Sequence, residues 1–337
     1  MRRALIVGID GYEVSPLNSC VKDAEEVHRV LDTHQGKEDK TGDPNFDCLL
    51  YVVPNNDEEN REDTSNKENT SSERTRINSK FLKKKIHKLF SNKAEMALFY
   101  FSGHGEETPY GAYLVPEDAS KFDEGIPMAE LLRMANQSLA NEVVIILDCC
   151  FSGSLGNHSF GNYTSIREGV SILTSSSDYQ KSFESKGMGA FTKKIVEALD
   201  GEAADVIGRV HVGSLYSYTE KMFSSWEQRP LFKGHLSSMT TIRQCNPRVD
   251  VEILRRLSTY FKEEDSTYGL YPSYEHTFEG SQKEHVIIFQ ELQKCVSAGL
   301  VIPHEVEHMY DAAMKSKSCK LTTLGKYYWK LAKTNRI

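Results

Sequence analysis

The chain has 337 residues, enough for about two domains, and its 39% hydrophobic and 26% charged residues suit a folded protein with a proper core. No run of 18 apolar residues occurs, which excludes a membrane-spanning helix; seven irregularly spaced cysteines exclude a disulfide framework and point to a reducing, cytoplasmic location. The net charge of −7 is uneven, with 28 Lys+Arg against 36 Asp+Glu in residues 1–245 (−8) and 13 against 12 in residues 246–337 (+1), which excludes a chain-wide nucleic-acid footprint.

Arg2 and Arg3 precede only the six apolar-type residues 4–9, too few for the hydrophobic region of a signal peptide. The segment instead predicts a strand that starts at once. Val21, Ala24, Val27 and Leu31 recur at helical spacing, and 48–53 predicts a second strand. Residues 54–73 hold no aliphatic or aromatic residue beyond Pro54, so burial cannot offset ordering entropy and a flexible polar loop is expected over 54–76. A helix marked by Leu82, Ile86, Leu89 and Phe90 follows, then a strand over 97–101. Next come a helix at Met128, Leu131, Leu132 and Ala135, strands over 143–148 and 169–174, and a helix at Phe191, Ile195, Val196 and Leu199. The first four β runs are nearly continuous in aliphatic and aromatic residues, as in strands covered on both faces. The alternation predicts an α/β fold with a mostly parallel sheet flanked by helices. Ligands in such sheets sit at the carboxyl ends of the strands, here the loops after Ile9, Phe101 and Asp148.

Asn246-Pro247 marks a break. Helical patterns over 251–261 and 285–297, β-type runs at 299–302 and 320–322, and a helix over 324–331 predict an α-rich, winged-helix-like module over 246–337. After Asp311 the chain carries Lys315, Lys317, Lys320, Lys326, Lys330, Lys333 and Arg336 with no carboxylate. A regulatory or partner-binding role is expected for this module. Its basic run leaves nucleic-acid binding open, beside the plainer reading of a solvated face.

Two motifs fall at predicted strand ends. Phe101-Ser102-Gly103-His104-Gly105 sets an imidazole between two glycines, and Asp148-Cys149-Cys150-Phe151-Ser152-Gly153 sets a thiol pair at the end of an apolar run. Alone, each is most simply a loop histidine or an inert core cysteine. Together, 46 residues apart from His104 to Cys150 on one sheet edge, they make a thiol–imidazole pair the stronger reading.

These motifs resemble the caspase-like cysteine peptidases, particularly the metacaspase branch and its bacterial relatives, in which a His stands about 50 residues before the nucleophile. Supporting stretches are 4–9, Cys20-Val21-Lys22-Asp23-Ala24, Thr75-Arg76-Ile77-Asn78, Tyr113-Leu114-Val115-Pro116-Glu117-Asp118 and Gln228-Arg229-Pro230-Leu231. The likeness spans residues 1–245; Phe151 departs from it, standing where metacaspases commonly carry His. It implies a caspase-like peptidase domain over 1–245, with Cys150 as nucleophile, His104 as the acid that protonates the departing amine, and the backbone N–H groups of Cys150 and Gly105 as the oxyanion hole. Cys149 is expected to point the other way, into the sheet. The alternative is a catalytically silent scaffold of the same fold whose C-terminal module binds a partner or nucleic acid.

The same resemblance places Asp23, Ser102 and Asp148 around the substrate residue before the scissile bond. Two partly buried carboxylates need a cation to be tolerated, so a protein or peptide cut after Arg or Lys is the expected substrate. No CxxC pair or Cys/His quartet has zinc spacing, and Cys149-Cys150 is too close to chelate one ion, so no metal or cofactor is predicted. Many metacaspases need calcium, but the acids over 118–124 are scattered around Lys121, and calcium is expected not to be obligatory. Self-cleavage is expected near Arg61, Lys67 or Arg74 in and beside the polar loop, or at Arg167, Lys181 or Lys186 after the nucleophile.

Overall fold

A computed structural model describes residues 1–36, 41–55, 76–119, 125–149, 165–175, 187–223 and 229–337. Cys150, most of the polar loop, Lys121, Asp123 and Glu124 lie outside the described residues, as do Phe151, Gln228 and the cleavage candidates Arg61, Lys67, Arg74, Lys181 and Lys186. The chain divides into two compact units, Met1–Ala204 with Val210–Cys245, and Asp205–Arg209 with Asn246–Ile337. Among the described residues no helix is long and apolar enough to cross a membrane.

The first unit is built on a six-stranded sheet. Its strands are β1 (Arg2–Ile9), β2 (Asp47–Val53), β3 (Ala94–Ser102), β4 (Ala140–Asp148), β5 (Val170–Thr174) and β6 (Leu231–His235), in spatial order β6-β5-β4-β3-β1-β2. All neighbours run parallel except β5 and β6, which are antiparallel. The five predicted strands are β1 to β5. The antiparallel edge strand β6 was not expected from its sequence, because Leu-Phe-Lys-Gly-His is half exposed and carries no apolar run.

Strand alternation divides the apolar residues between two cores. Leu5, Val7 and Ile9 of β1, Ala97, Phe99 and Phe101 of β3 and Val143, Ile145 and Leu147 of β4 face α2 (Ser79–Ser91) and α3 (Met128–Asn136). Ala4 and Ile6, Met96, Leu98 and Tyr100, and Val144 and Ile146 face α1 (Cys20–Asp32), α4 (Ala190–Glu197) and α5 (Val212–Lys221). The central strands are therefore buried on both sides, which is why they read as continuous apolar runs. Each buried aliphatic side chain contributes about 1.5–3 kcal/mol.

Helix α1 is placed by two polar and one steric device. Asp10, buried at the end of β1, accepts the N–H groups of Cys20 and Val21 at 2.9 and 3.1 Å, satisfying two donors of the first turn. Gly8 lets the helix lie on the strand: a Cβ there would stand 2.2 Å from the Cys20 carbonyl oxygen and 2.7 Å from Ala24 Cβ. Helix α2 starts at Asn78, whose side chain accepts the Phe81 N–H at 2.8 Å.

The second unit has its own core, in which Leu254, Leu257, Phe261, Phe289, Leu292, Val301, Leu321 and Trp329 are buried. It contains α6 (Val251–Tyr260), α7 (Lys283–Ser297), α8 (Met309–Met314) and α9 (Thr323–Lys333). Strands β7 (Thr267–Gly269), β8 (Val301–His304) and β9 (Ser318–Leu321) form an antiparallel sheet in the order β7-β9-β8. The expected order of two helices, two strands and a helix is extended by β7 before α7 and by α8 between β8 and β9.

The basic C-terminal run is corrected in one respect. Acids from upstream balance part of it: Lys315 pairs with Asp311 at 2.7 Å, Lys317 with Glu305 at 2.9 Å, and Lys326 with Asp265. Lys333 lies over the Trp329 ring at 4.5 Å.

Candidate active site

Strands β3 and β4 end in register, Ser102 opposite Asp148, and the Gly103 N–H donates to the Asp148 carbonyl at 3.3 Å. The two sequence motifs therefore leave the sheet side by side. His104 lies two residues beyond Ser102. Cys150 lies two residues beyond Asp148 and outside the described residues, so the thiol–imidazole pair is a relation of sequence and register. Gly105 begins a short strand, Gly105–Thr108, paired with Gly111–Leu114.

His104 is held on two sides by the loop that follows β1. Its backbone N–H donates to the Tyr12 hydroxyl at 2.9 Å, and that hydroxyl donates to the Val115 carbonyl at 2.9 Å. The two rings lie 4.5 Å apart between centroids. The imidazole Nε2 is 2.6 Å from the Ser15 carbonyl oxygen; a carbonyl only accepts, so Nε2 carries the hydrogen in this arrangement. Ser15 is in the left-handed region, with φ 58°, which aims its carbonyl at the ring. The ring's other nitrogen is then the one that offers a lone pair. Gly103 leaves room for the Tyr12 hydroxyl, which a Cβ would meet at 2.5 Å. A cleft of about 890 Å³ opens beside His104, lined by Tyr12, Glu13, Ser15, Glu106 and Glu117 among others.

The three expected pocket residues come together on the opposite side of β3, away from that cleft. Asp23 sits in the first turn of α1 and Asp148 ends β4; they are 1% and 4% exposed. The Ser102 hydroxyl donates to Asp23 Oδ2 at 3.1 Å, and the Gly189 N–H donates to Asp23 Oδ1 at 2.9 Å. The Thr192 hydroxyl donates to Asp148 Oδ2 at 2.7 Å and lies 2.5 Å from the Tyr100 hydroxyl. A Cβ on Gly189 would stand 3.0 Å from a carboxylate oxygen of each acid. Burial first, and then the charge of Asp148, push the Asp23 carboxyl up to about 8, against the opposing hydrogen bonds from Gly189 and Ser102. A pair of acids so placed is an unfavourable home for two negative charges and a favourable one for a cation that arrives between them.

Cys149 is fully buried in the core that contains Tyr12, Phe101 and Leu147, which suits a packing role. Tyr12, Ser15, Gly189 and Thr192 were not singled out in the sequence. They reach the site from the β1 loop and the start of α4, and no motif ties them to the His and Cys segments. Asp10 had one signal, an acid directly after an apolar strand.

Several comparisons bear on this arrangement. No curated protein matches the chain significantly. Among solved structures, caspase-1 from Spodoptera frugiperda is similar at 13% identity with a TM-score of 0.47, over 72% of this chain and 90% of that one. The sequence profile of the caspase domain, Peptidase_C14, matches residues 1–245, the whole span of the sheet and of both motifs, so the chain belongs to the caspase-domain family of cysteine peptidases.

Proposed function

We propose that this protein is a cysteine endopeptidase of metacaspase type that cleaves after Arg or Lys, using Cys150 as nucleophile and His104 as the proton donor to the leaving amine. The N–H groups of Cys150 and Gly105 take the oxyanion. The observation that carries the specificity is the buried Asp23–Asp148 pair with Ser102 beside it. An arginine guanidinium is planar, always charged and able to donate bidentately to one acid while reaching the second; the lysine ammonium is a weaker fit. A substrate aspartate brings a third negative charge to the same place. The free cysteines Cys20, Cys48, Cys149, Cys245, Cys295 and Cys319 support a reducing, cytoplasmic setting. The second unit is read as a regulatory or partner-binding appendage; the ion pairs at Lys315, Lys317 and Lys326 favour a protein partner over a nucleic acid.

The test is a set of fluorogenic peptides that differ only in the residue before the scissile bond. Arg is expected to be cut fastest, Lys more slowly and Asp negligibly, with all hydrolysis lost in Cys150→Ala. Efficient cleavage after Asp overturns the pocket assignment, and activity surviving in Cys150→Ala overturns the nucleophile. Hydrolysis of none of the peptides favours the silent-scaffold reading.

A further inference from the structure

A second cluster of chemistry-bearing side chains lies in the first unit and takes no part in the proposed peptidase site. His28 and Asp32 are four residues apart on α1 and so share one side of the helix. Cys48 is the second residue of β2, the edge strand beside β1. Strand alternation turns Cys48, Leu50 and Val52 toward the core in which α1 buries Val27 and Leu31. Cys48 thus meets the last turns of α1. A ring nitrogen of His28, a carboxylate oxygen of Asp32 and Cys48 Sγ all lie within 4.8 Å of one another.

Two observations narrow what this group does. Cys48 is half-buried, where the other described cysteines are buried. Asp47 immediately precedes Cys48 on β2, so a further carboxylate stands beside the three donors. What remains is a nitrogen, an oxygen and a sulfur donor converging from two elements in a negatively charged surrounding. Hard cations such as magnesium and calcium collect six or more oxygens and gain little from a thiol and an imidazole. Zinc(II) takes this mixed set in tetrahedral geometry.

We propose that His28, Asp32 and Cys48 form a zinc(II) site with three protein ligands and a fourth position for water. Zinc–ligand bonds of about 2.0–2.3 Å set tetrahedral donors roughly 3.3–3.8 Å apart, so the side chains need close by no more than about 1.5 Å on loading. Asp32 is exposed and His28 half-exposed, which leaves both free to make that movement. On binding, the Cys48 thiol loses its proton to solvent and the thiolate bonds to the metal; the imidazole and the carboxylate each donate a lone pair, and no redox step occurs. The sequence hides the site because its third ligand arrives from the next strand, 16 residues beyond Asp32.

Cobalt(II) serves as the spectroscopic probe. The titration uses the full chain carrying Cys150→Ala, so that the proposed nucleophile does not compete as a second thiol. One equivalent of cobalt is expected to produce a thiolate-to-cobalt charge-transfer band that zinc abolishes and calcium or magnesium at equal concentration leaves intact. Cys48→Ser is expected to remove the band, and His28→Gln and Asp32→Asn each to weaken binding tenfold or more. Asp32 is on the surface, so that variant folds whatever becomes of the others. Zinc is expected to raise the unfolding temperature of the parent and not of Cys48→Ser, as for any ligand bound only by the folded state. No band, a band that persists in Cys48→Ser, or affinities unchanged in both His28→Gln and Asp32→Asn overturn the site.

Discussion

Asp23→Asn separates the electrostatics of the proposed pocket from its shape. The carboxyl is 1% exposed, accepts from Gly189 and Ser102, and is held up to about 8 by burial and by Asp148, against about 3.9 in an unfolded chain. Between those two values the folded protein keeps a proton that the unfolded chain releases. Stability is therefore lost as pH rises through this window, with a ceiling of about 1.4 kcal/mol per pH unit for one proton. From pH 5 to pH 7 the ceiling is about 3 kcal/mol; structural relaxation and sharing of the proton with Asp148 bring the expected loss to the order of 2 kcal/mol. Asparagine carries no such proton, keeps an acceptor for the Gly189 N–H, turns an amide N–H toward the Ser102 hydroxyl, which then accepts, and is expected to remove most of that loss. Urea unfolding of the Cys150→Ala protein and of its Asp23→Asn derivative at pH 5, 6 and 7 measures the difference directly. In the same proteins benzamidine, a small amidinium cation, is expected to bind more tightly as pH rises from 6 to 8, and weakly and without pH dependence in Asp23→Asn. In the active enzyme, Asp23→Asn is expected to cost the arginine substrate about two to three and a half powers of ten in kcat/KM, the ~3–5 kcal/mol of a broken buried ion pair. Equal pH slopes of stability in the two proteins refute the reasoning, because the carboxyl would then titrate as it does in water.

Three other outcomes are expected. Cys149→Ala should remain an active peptidase and lose about 1–2 kcal/mol of stability as a small core deletion, while Cys150→Ala should be inactive and fully folded; the reverse pattern moves the nucleophile by one residue. Tyr12→Phe leaves the His104 N–H and the Val115 carbonyl without their shared hydroxyl, a loss of about 1–3 kcal/mol, and should lower kcat by tenfold or more with little change in KM; an unchanged kcat means the imidazole is held by other contacts. Peptidase activity should be the same in chelator and in millimolar calcium, since Asp118 already accepts from the Ser79 N–H and hydroxyl at 2.9 and 3.2 Å; strict calcium dependence rules this out.

The sheet was legible because β1, β3 and β4 are covered on both faces, and double burial writes itself as uninterrupted aliphatic and aromatic sequence; β2 reads the same way but is an edge strand, mostly half-exposed or exposed, against the expectation of cover on both faces. Strand β6 and helix α5 were not, for opposite physical reasons: β6 has too little burial to need an apolar run, and α5 spreads Gly, Ser and Tyr among few aliphatics. In the site, Ser102 and Asp148 could be named because each lies in one of the two motifs, and Asp23 because the 20–24 stretch resembles that of metacaspases. Tyr12 and Thr192 act through tertiary hydrogen bonds to His104 and Asp148 across 92 and 44 residues, a relation that exists only once the strands have ordered. The His28–Asp32–Cys48 cluster escaped for the same cause.

Gly8 makes the hidden side of the sheet a selectivity dial. A methyl group there has no room beneath the first turn of α1, since the Cys20 carbonyl would be 2.2 Å away. The turn that must lift is the one that carries Asp23. Raising it draws Asp23 away from its neighbour on β4, lets Asp23 return toward its ordinary titration, and loosens the proposed clasp on a guanidinium. One methyl group at Gly8, on the strand beneath α1, would therefore alter the proposed preference for basic residues without touching any residue of the proposed pocket.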